Sequence, residues 1–105
     1  MSDVVRIAAA LSDPSRVRLL WACFGGERCV CQLVELLGLS NATVSKHLSL
    51  LRDAGLLVSR KEGRWVHYRL PPEPSEAARE ATEWVRRHGA EVWGDDRERM
   101  DRIVS

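Results

Sequence analysis

A mainly helical domain with one small β-hairpin is the fold class predicted by this chain of 105 residues. Three observations carry that prediction. Apolar residues recur at helical spacing in successive stretches up to residue 54. Start and stop residues bracket those stretches, and two β-rich runs follow with a glycine between them. A single domain of this length can bury a modest core but not two.

Residues 3 to 12 predict a short helix with Val4, Ala8 and Leu11 on one stripe. Asp13-Pro14 then signals a new start: an acid in the capping position, followed by proline at the first helical position, where its missing N–H costs nothing. Val17, Leu20, Trp21 and Phe24 continue at i, i+3, i+4, i+7 until Gly25-Gly26 stops the helix. A third helix spans Cys29 to Leu37, with Leu33, Leu36 and Leu37 apolar, and ends at Gly38. Ser40 caps a fourth over residues 41 to 54, with Val44, Leu48 and Leu51 inward and Gly55 closing it. The period then shifts. Residues 56–60 and 65–70 read as strands joined through Lys61-Glu62-Gly63-Arg64, and Pro71, Pro72 and Pro74 end the second. A closing helix is expected from about Ser75 to His88, with Ala77, Ala81, Trp84, Val85 and His88 along one side. Gly89 interrupts it, and residues 95 to 104 form a last, weaker turn or helix.

The stretch from Leu33 to Leu51 holds a short helix, a glycine-containing turn of about four residues and a capped second helix, the spacing of a helix-turn-helix. The predicted organisation is one winged helix-turn-helix domain over residues 1–105. It comprises a helix-turn-helix at 29–54, a wing at 56–70, a dimerisation helix at 75–88 and a tail at 89–105.

Charge fits a polyanionic partner on one face. The net charge is only +1, yet residues 40 to 70 hold Lys46, Arg52, Arg60, Lys61, Arg64 and Arg69 against Asp53 and Glu62, a local +4 that leaves −3 elsewhere. On the fourth helix Lys46, Ser49 and Asp53 lie opposite the apolar stripe, with Thr43, Ser45 and Arg52 on its shoulders. Small hydroxyl residues near the helix start admit close approach to bases and phosphates, Lys46 supplies a charge, and the amides behind Ser40 form an anion site. Asn41 either caps the helix or makes a bidentate contact to adenine. His47 lies nearer the apolar stripe, which suits packing or a phosphate contact. Arg60, Lys61 and Arg64 surround the hairpin tip and suit contacts to flanking phosphates or the minor groove, with plain solubility as the alternative. Trp65 and Tyr68 are expected to pack the wing.

Other function classes fall away. No apolar run reaches the roughly 18 residues of a membrane span. Met1-Ser2-Asp3 opens without a basic stretch and apolar run, so a cytoplasmic location is expected. No phosphate loop, HExxH or nucleophile with a base is present, so no enzyme is expected. Three cysteines, Cys23, Cys29 and Cys31, do not suit a secreted disulfide scaffold and read as metal-binding or redox groups.

Asp13-Pro14-Ser15-Arg16 with Arg18-Leu19-Leu20, Cys29-Val30-Cys31-Gln32-Leu33, the run Gly38 to Leu48, Leu51 to Leu56, and Gly63 to Leu70 together resemble the ArsR/SmtB repressors. The likeness covers residues 3 to about 88. It implies a homodimeric winged-helix protein that sits on a palindromic DNA operator without any cofactor and leaves when a metal ion binds. Cys-Val-Cys at the start of the third helix is similar to the sensors of arsenite, antimonite, cadmium and lead. Two departures stand out: the third cysteine of some arsenite sensors is Val34 here, and residues 1 to 22 lack the arm cysteines of cadmium and lead sensors. The zinc-sensor set on the last helix is only half matched, by His88 and Glu91, with Ser75 and Ala77 in the other places.

The thiols are the candidate sensor, with arsenite or antimonite as the expected inducer and cadmium or lead next. Residues at i and i+2 of a regular helix point about 200° apart. Cys29 aligns with the capping position and Cys31 with the first turn, so the sulfurs are expected to converge only if that turn loosens. The helix dipole, Arg28 and Arg16 are expected to favour thiolates. Gln32 stands where a capping box places Glu or Gln, so ion capture would compete with the cap. Cys23 is the one remaining candidate for a third ligand, or else a buried small side chain. Two alternatives stay open: a redox or persulfide sensor using a strained Cys-x-Cys disulfide, and a constitutive DNA-binding protein whose cysteines merely pack. A homodimer is expected from the apolar stripes of the outer helices, which otherwise complete the monomer core.

Overall fold

The inward faces of three helices and one face of a small sheet form the centre of the molecule. The computed structural model describes residues 3–105, apart from the side chains of Glu91 and Val92; Met1 and Ser2, which the leader reading includes, lie outside the description. The elements are α1 (Asp3–Ala10), α2 (Pro14–Ala22), a 3₁₀ turn (Cys23–Gly25), β1 (Arg28–Cys29), α3 (Val30–Leu37), α4 (Asn41–Asp53), β2 (Val58–Glu62), β3 (Trp65–Arg69) and α5 (Glu76–Val104).

The helix starts follow the capping chemistry. The Asp13 carboxylate accepts from the backbone N–H of Ser15 at 2.8 Å and of Arg16 at 3.4 Å, with Pro14 opening α2. Ser40 Oγ accepts from the Thr43 N–H at 3.2 Å, and Ser75 Oγ from that of Ala78 at 3.1 Å. Gly38 closes α3 at φ +68°, a left-handed conformation that a β-carbon would oppose, and so turns the chain into α4. Leu19 and Leu20 from α2, Leu33 and Leu36 from α3, and Val44, Leu48 and Leu51 from α4 are fully buried together with Leu56 and Leu57. Each such side chain contributes roughly 1.5–3 kcal/mol of burial.

Several details differ from expectation. The first strand of the wing starts two residues later than predicted, because Leu56 and Leu57 go to the core and Lys61 and Glu62 extend the ladder. Gly63 at φ +60°, with Arg64, makes a two-residue connection with glycine first, as a tight hairpin requires. The sheet has a third strand: β1 pairs antiparallel with β3 in the order β1-β3-β2, with Arg28 opposite Tyr68 and Cys29 opposite His67.

Gly89 does not interrupt the last helix. It is buried on Trp21, where an added β-carbon would lie 3.4 Å from Cε3, so the missing side chain lets α5 approach α2. The non-helical residue is Trp93 (φ −116°, ψ 23°). Beyond it the tail folds onto the body: Arg18 donates to Asp96 at 2.8 Å and 3.0 Å, Met100 is buried and Ile103 packs on the core.

The outer stripes divide between core and surface. On α1, Ile7 and Ala10 are buried and Val4 and Ala8 exposed; on α5, Ala78 and Val85 are buried and Trp84 and His88 exposed. The wider core claims one side of each helix, so a single apolar stripe is too simple for both.

Candidate functional site: a thiol pair at the entry to a helix-turn-helix

β1 hands the chain directly to α3, and Cys29 is the joint. It has extended backbone (φ −73°, ψ 146°), pairs with His67 and caps α3, while Gln32 Oε1 accepts from its N–H at 2.8 Å. That one extended ψ reorients the Cys29 side chain relative to a regular helix. The Cys31 thiol consequently donates to Cys29 Sγ at 2.8 Å, with the first turn intact. Convergence therefore needs no loosening, contrary to the sequence expectation. Cys29 is buried and Cys31 exposed, so the pair has one face open to solvent. An ion bound to both at about 2.3 Å with tetrahedral angles would hold the sulfurs about 3.8 Å apart. The pair must spread by about 1 Å to accept it.

The electrostatics also differ from expectation. The Cys31 thiol is pushed up, first by its hydrogen bond to Cys29 and then by desolvation. Arg28 donates to the Ala22 carbonyl at 2.9 Å and acts on Cys23, whose thiol it pulls down. Arg16 is committed to the carbonyls of Ala10 (2.8 Å) and Ala9 (3.2 Å) and to His47. Neither guanidinium is given over to the thiol pair.

Cys23 is 2% exposed, donates to the Tyr68 carbonyl at 3.9 Å, and is pushed up to about 12 by burial. Among the described residues no three His, Cys, Asp or Glu side chains form a group able to hold an ion, so Cys23 is not brought to the pair as a third ligand. His88 lies against Trp84, ring centroids 5.7 Å apart, while the Glu91 side chain falls outside the description.

The second helix of the motif presents Asn41, Thr43 and Lys46 exposed, with Ser45 and Ser49 half-buried. Ser40, not Asn41, caps α4, and Asn41 Oδ1 instead accepts from Ser45 Oγ at 3.3 Å. Ser40 Oγ also donates to Thr43 Oγ1 at 2.9 Å, and Ser49 Oγ to the Ser45 carbonyl at 3.0 Å. His47 is half-buried with Nδ1 3.1 Å from Arg16, and Arg52 lies 3.6 Å from Asp53.

The wing is more self-engaged than its sequence suggests. Arg60 makes a forked pair with Glu27 (2.7 Å and 2.9 Å) and a contact to Glu62 at 3.3 Å, which raises its own basicity and holds the Glu27 carboxyl below the usual range. Lys61 and Arg64 are exposed, and Arg64 lies over the Trp65 ring at 5.4 Å. Tyr68 is buried as expected, but Trp65 is 48% exposed and does not pack inward. Sequence reasoning missed Glu27 and His67, which join the wing to β1: His67 Nδ1 lies 4.0 Å from Glu27 and Nε2 3.8 Å from Glu62. Strand alternation would have put them on one face, had Arg28-Cys29 been recognised as a strand.

Comparison with known proteins agrees with this architecture. The family model described as bacterial regulatory protein, arsR family, matches residues 13–59. The arsenical resistance operon repressor of Escherichia coli is 42% identical over 79 residues, covering 75% of this chain and 62% of the repressor; the chain thus matches rather over half the length of such relatives. Among solved structures, HlyU from Vibrio cholerae N16961 superposes with a TM-score of 0.69 at 30% identity, covering 81% of this chain and 89% of its own. A homodimeric winged helix-turn-helix DNA-binding domain from Mycobacterium bovis, a possible ArsR-family transcriptional regulator, superposes with a TM-score of 0.69 at 27% identity, covering 88% and 83%. Motif, wing and likeness agree: the chain belongs to the arsR family of regulatory proteins, with a winged helix-turn-helix fold.

Proposed function

We propose that this chain is a cytoplasmic transcriptional repressor that binds a palindromic DNA operator as a homodimer and leaves it when trivalent arsenic binds Cys29 and Cys31. The single observation that carries the reading is the 2.8 Å approach of two sulfurs at the cap of the first motif helix. The relative named for arsenical resistance supports the choice of ion. On capture each thiol displaces one hydroxide of arsenite, its proton leaving with that hydroxide as water, and the two sulfurs spread, pulling on the backbone that Gln32 holds at the cap. An N-cap is worth about 1 kcal/mol, whereas thiolate binding of an ion supplies several times as much. α3 packs directly on α4, so a moved cap shifts the reading helix. A hundredfold loss of operator affinity needs roughly 2.7 kcal/mol of coupling.

Ser40, Asn41, Thr43, Ser45, Lys46, Ser49 and Arg52 form the proposed DNA face, with His47 at its edge, and Lys61 and Arg64 extend it at the wing. Arg60 reaches a phosphate only by leaving Glu27, so its first role here is to hold the wing. The exposed Val4 (69%) and Trp84 (57%) on the outer helices suit burial in a dimer, which would set two reading helices one duplex turn apart.

The test is a gel-shift titration of reduced protein on its operator. Arsenite is expected to release the wild type and to leave Cys29→Ser/Cys31→Ser bound; release of both refutes the reading. The same sulfur approach favours a second reading, oxidation to a strained disulfide. Release by peroxide, with no response to arsenite, would select it.

A further inference from the structure

We infer that the cavity between the end of α2 and the folded-back tail of α5 is a binding site for a small aromatic monocarboxylate. It uses neither Cys29 nor Cys31 and lies apart from the proposed DNA face, so it stands or falls independently of the thiol reading.

The cavity exists because of how the tail returns. After the break at Trp93, the Arg18–Asp96 pair and the buried Met100 hold the tail against α2. Between them, beside the 3₁₀ turn, a space of about 500 Å³ remains. That volume lies within the range of pockets that take small organic ligands. Trp21 and Phe24 form its apolar wall, edge to face, with ring centroids 5.1 Å apart and planes at 66°. Both rings are only half-buried, so aromatic surface is left for a flat ligand to cover.

The polar lining favours an anion. Arg28, Arg86 and Arg97 line the cavity together with Asp96 and Asp101. Two of these five charges are spent: both Asp96 oxygens accept from Arg18, and Arg86 pairs with Glu83 at 3.4 Å. Among the described residues neither Arg28 nor Arg97 has an ion-pair partner, and Asp101 is the one lining carboxylate outside an ion pair. One positive charge is left over, the complement of a monoanion.

Arg28 is held in place for this task. Its Nε donates to the Ala22 carbonyl at 2.9 Å, which fixes the stem. Its guanidinium lies against the bare backbone of Gly25, where an added β-carbon would stand 2.5 Å from Nη2. The Nη donors have no printed partner among the described residues, and a carboxylate accepts such a pair side by side. Arg86 lies over the Phe24 ring at 4.3 Å, so the aromatic wall passes directly into a guanidinium. Inorganic phosphate would meet the guanidiniums and leave the rings bare. A neutral ring would cover the wall and leave Arg28 unsatisfied. An aromatic ring bearing one carboxylate meets both demands.

The experiment follows backbone, indole and methyl resonances of the reduced full chain during titration with 2-naphthoate. Acetate supplies the charge without the ring, and 2-naphthalenemethanol the ring without the charge. With about a dozen non-hydrogen atoms, 2-naphthoate is expected to bind with a Kd of about 1 mM or tighter. The shifts should gather at the Trp21 indole, the Gly25 amide and the Met100 methyl group, with each control ligand at least about tenfold weaker, the range for a lost charged hydrogen bond. Arg28→Gln and Arg97→Gln should each weaken 2-naphthoate by about fivefold or more. Arg97 is exposed, so its variant tests the site even if Arg28→Gln unfolds the turn. No shift of these three resonances up to about 10 mM, ten times the expected Kd, overturns the assignment. Equal binding of 2-naphthalenemethanol overturns it too, by showing an apolar groove blind to charge, and equal binding of acetate overturns the aromatic class.

Discussion

Removing the Asp96 carboxylate should detach the tail of α5 at a cost that can be worked from the geometry. Asp96 is 6% exposed, and both of its oxygens accept from Arg18, at 2.8 Å and 3.0 Å. Breaking a buried ion pair by deleting one partner costs about 3–5 kcal/mol, because the other charge is left without compensation. The Arg18 side chain retains 21% of its exposure, so water recovers part of that loss and about 2–3 kcal/mol is expected for Asp96→Ala. For a domain of this size that is a fall in Tm of roughly 10 °C or more. Thermal and urea unfolding at one fixed protein concentration read it, since association alters Tm. Arg18→Met combined with Asp96→Ala completes a double-mutant cycle, in which the double variant should recover about 1–2 kcal/mol of the single loss. A single-variant loss below about 0.5 kcal/mol, the size of an ordinary surface change, would refute the docking of the tail.

Three further outcomes follow from the site. Cys31 is pushed up by its contact with Cys29, so its proton stays on to higher pH; a divalent cation that displaces a proton from each thiol should bind up to about a hundredfold more tightly per pH unit as pH rises through neutrality. Arsenite, whose hydroxides carry the two protons off as water, should show a nearly flat profile, and a flat profile for Cd²⁺ in isothermal titration contradicts this. Cys23, at 2% exposure and pushed up to about 12, should resist alkylation while Cys31 reacts first, and Cys23→Ser should leave ion affinity unchanged in the same titration; mass spectrometry orders the thiols. Lys46→Ala should weaken operator and non-operator DNA alike and lower the salt slope of binding by about 0.9; a loss confined to one base pair would show direct base reading instead.

The proposed sensor is legible in outline because Cys29-Val30-Cys31 stands beside a motif whose caps and spacing are local signals. What the reading lacks is the geometry of the first turn. The i, i+2 rule assumes helical backbone at both positions, and Cys29 has ψ 146° because β3 takes it as a strand partner. That partner is His67, far along the chain, and two residues are too few to show a strand period. The wing suffers the same limit: its basic residues are plain in sequence, but the fork from Arg60 to Glu27 joins residues 33 positions apart.

The starts of α2 and α4, the stop of α3, the helix-turn-helix and the existence of the wing were determined by sequence alone, since Asp13, Ser40, Gly38 and Gly63 act on neighbours within a turn or two. Only the tertiary structure decided that Gly89 lies within a helix whose break comes at Trp93 instead. A glycine weakens a helix by about 1 kcal/mol, and contact with Trp21 together with the Arg18–Asp96 pair outweighs that local preference. The same holds for the touching sulfurs: their approach is set by a pairing across the sheet, and no window of sequence around Cys29 contains the residue that sets it.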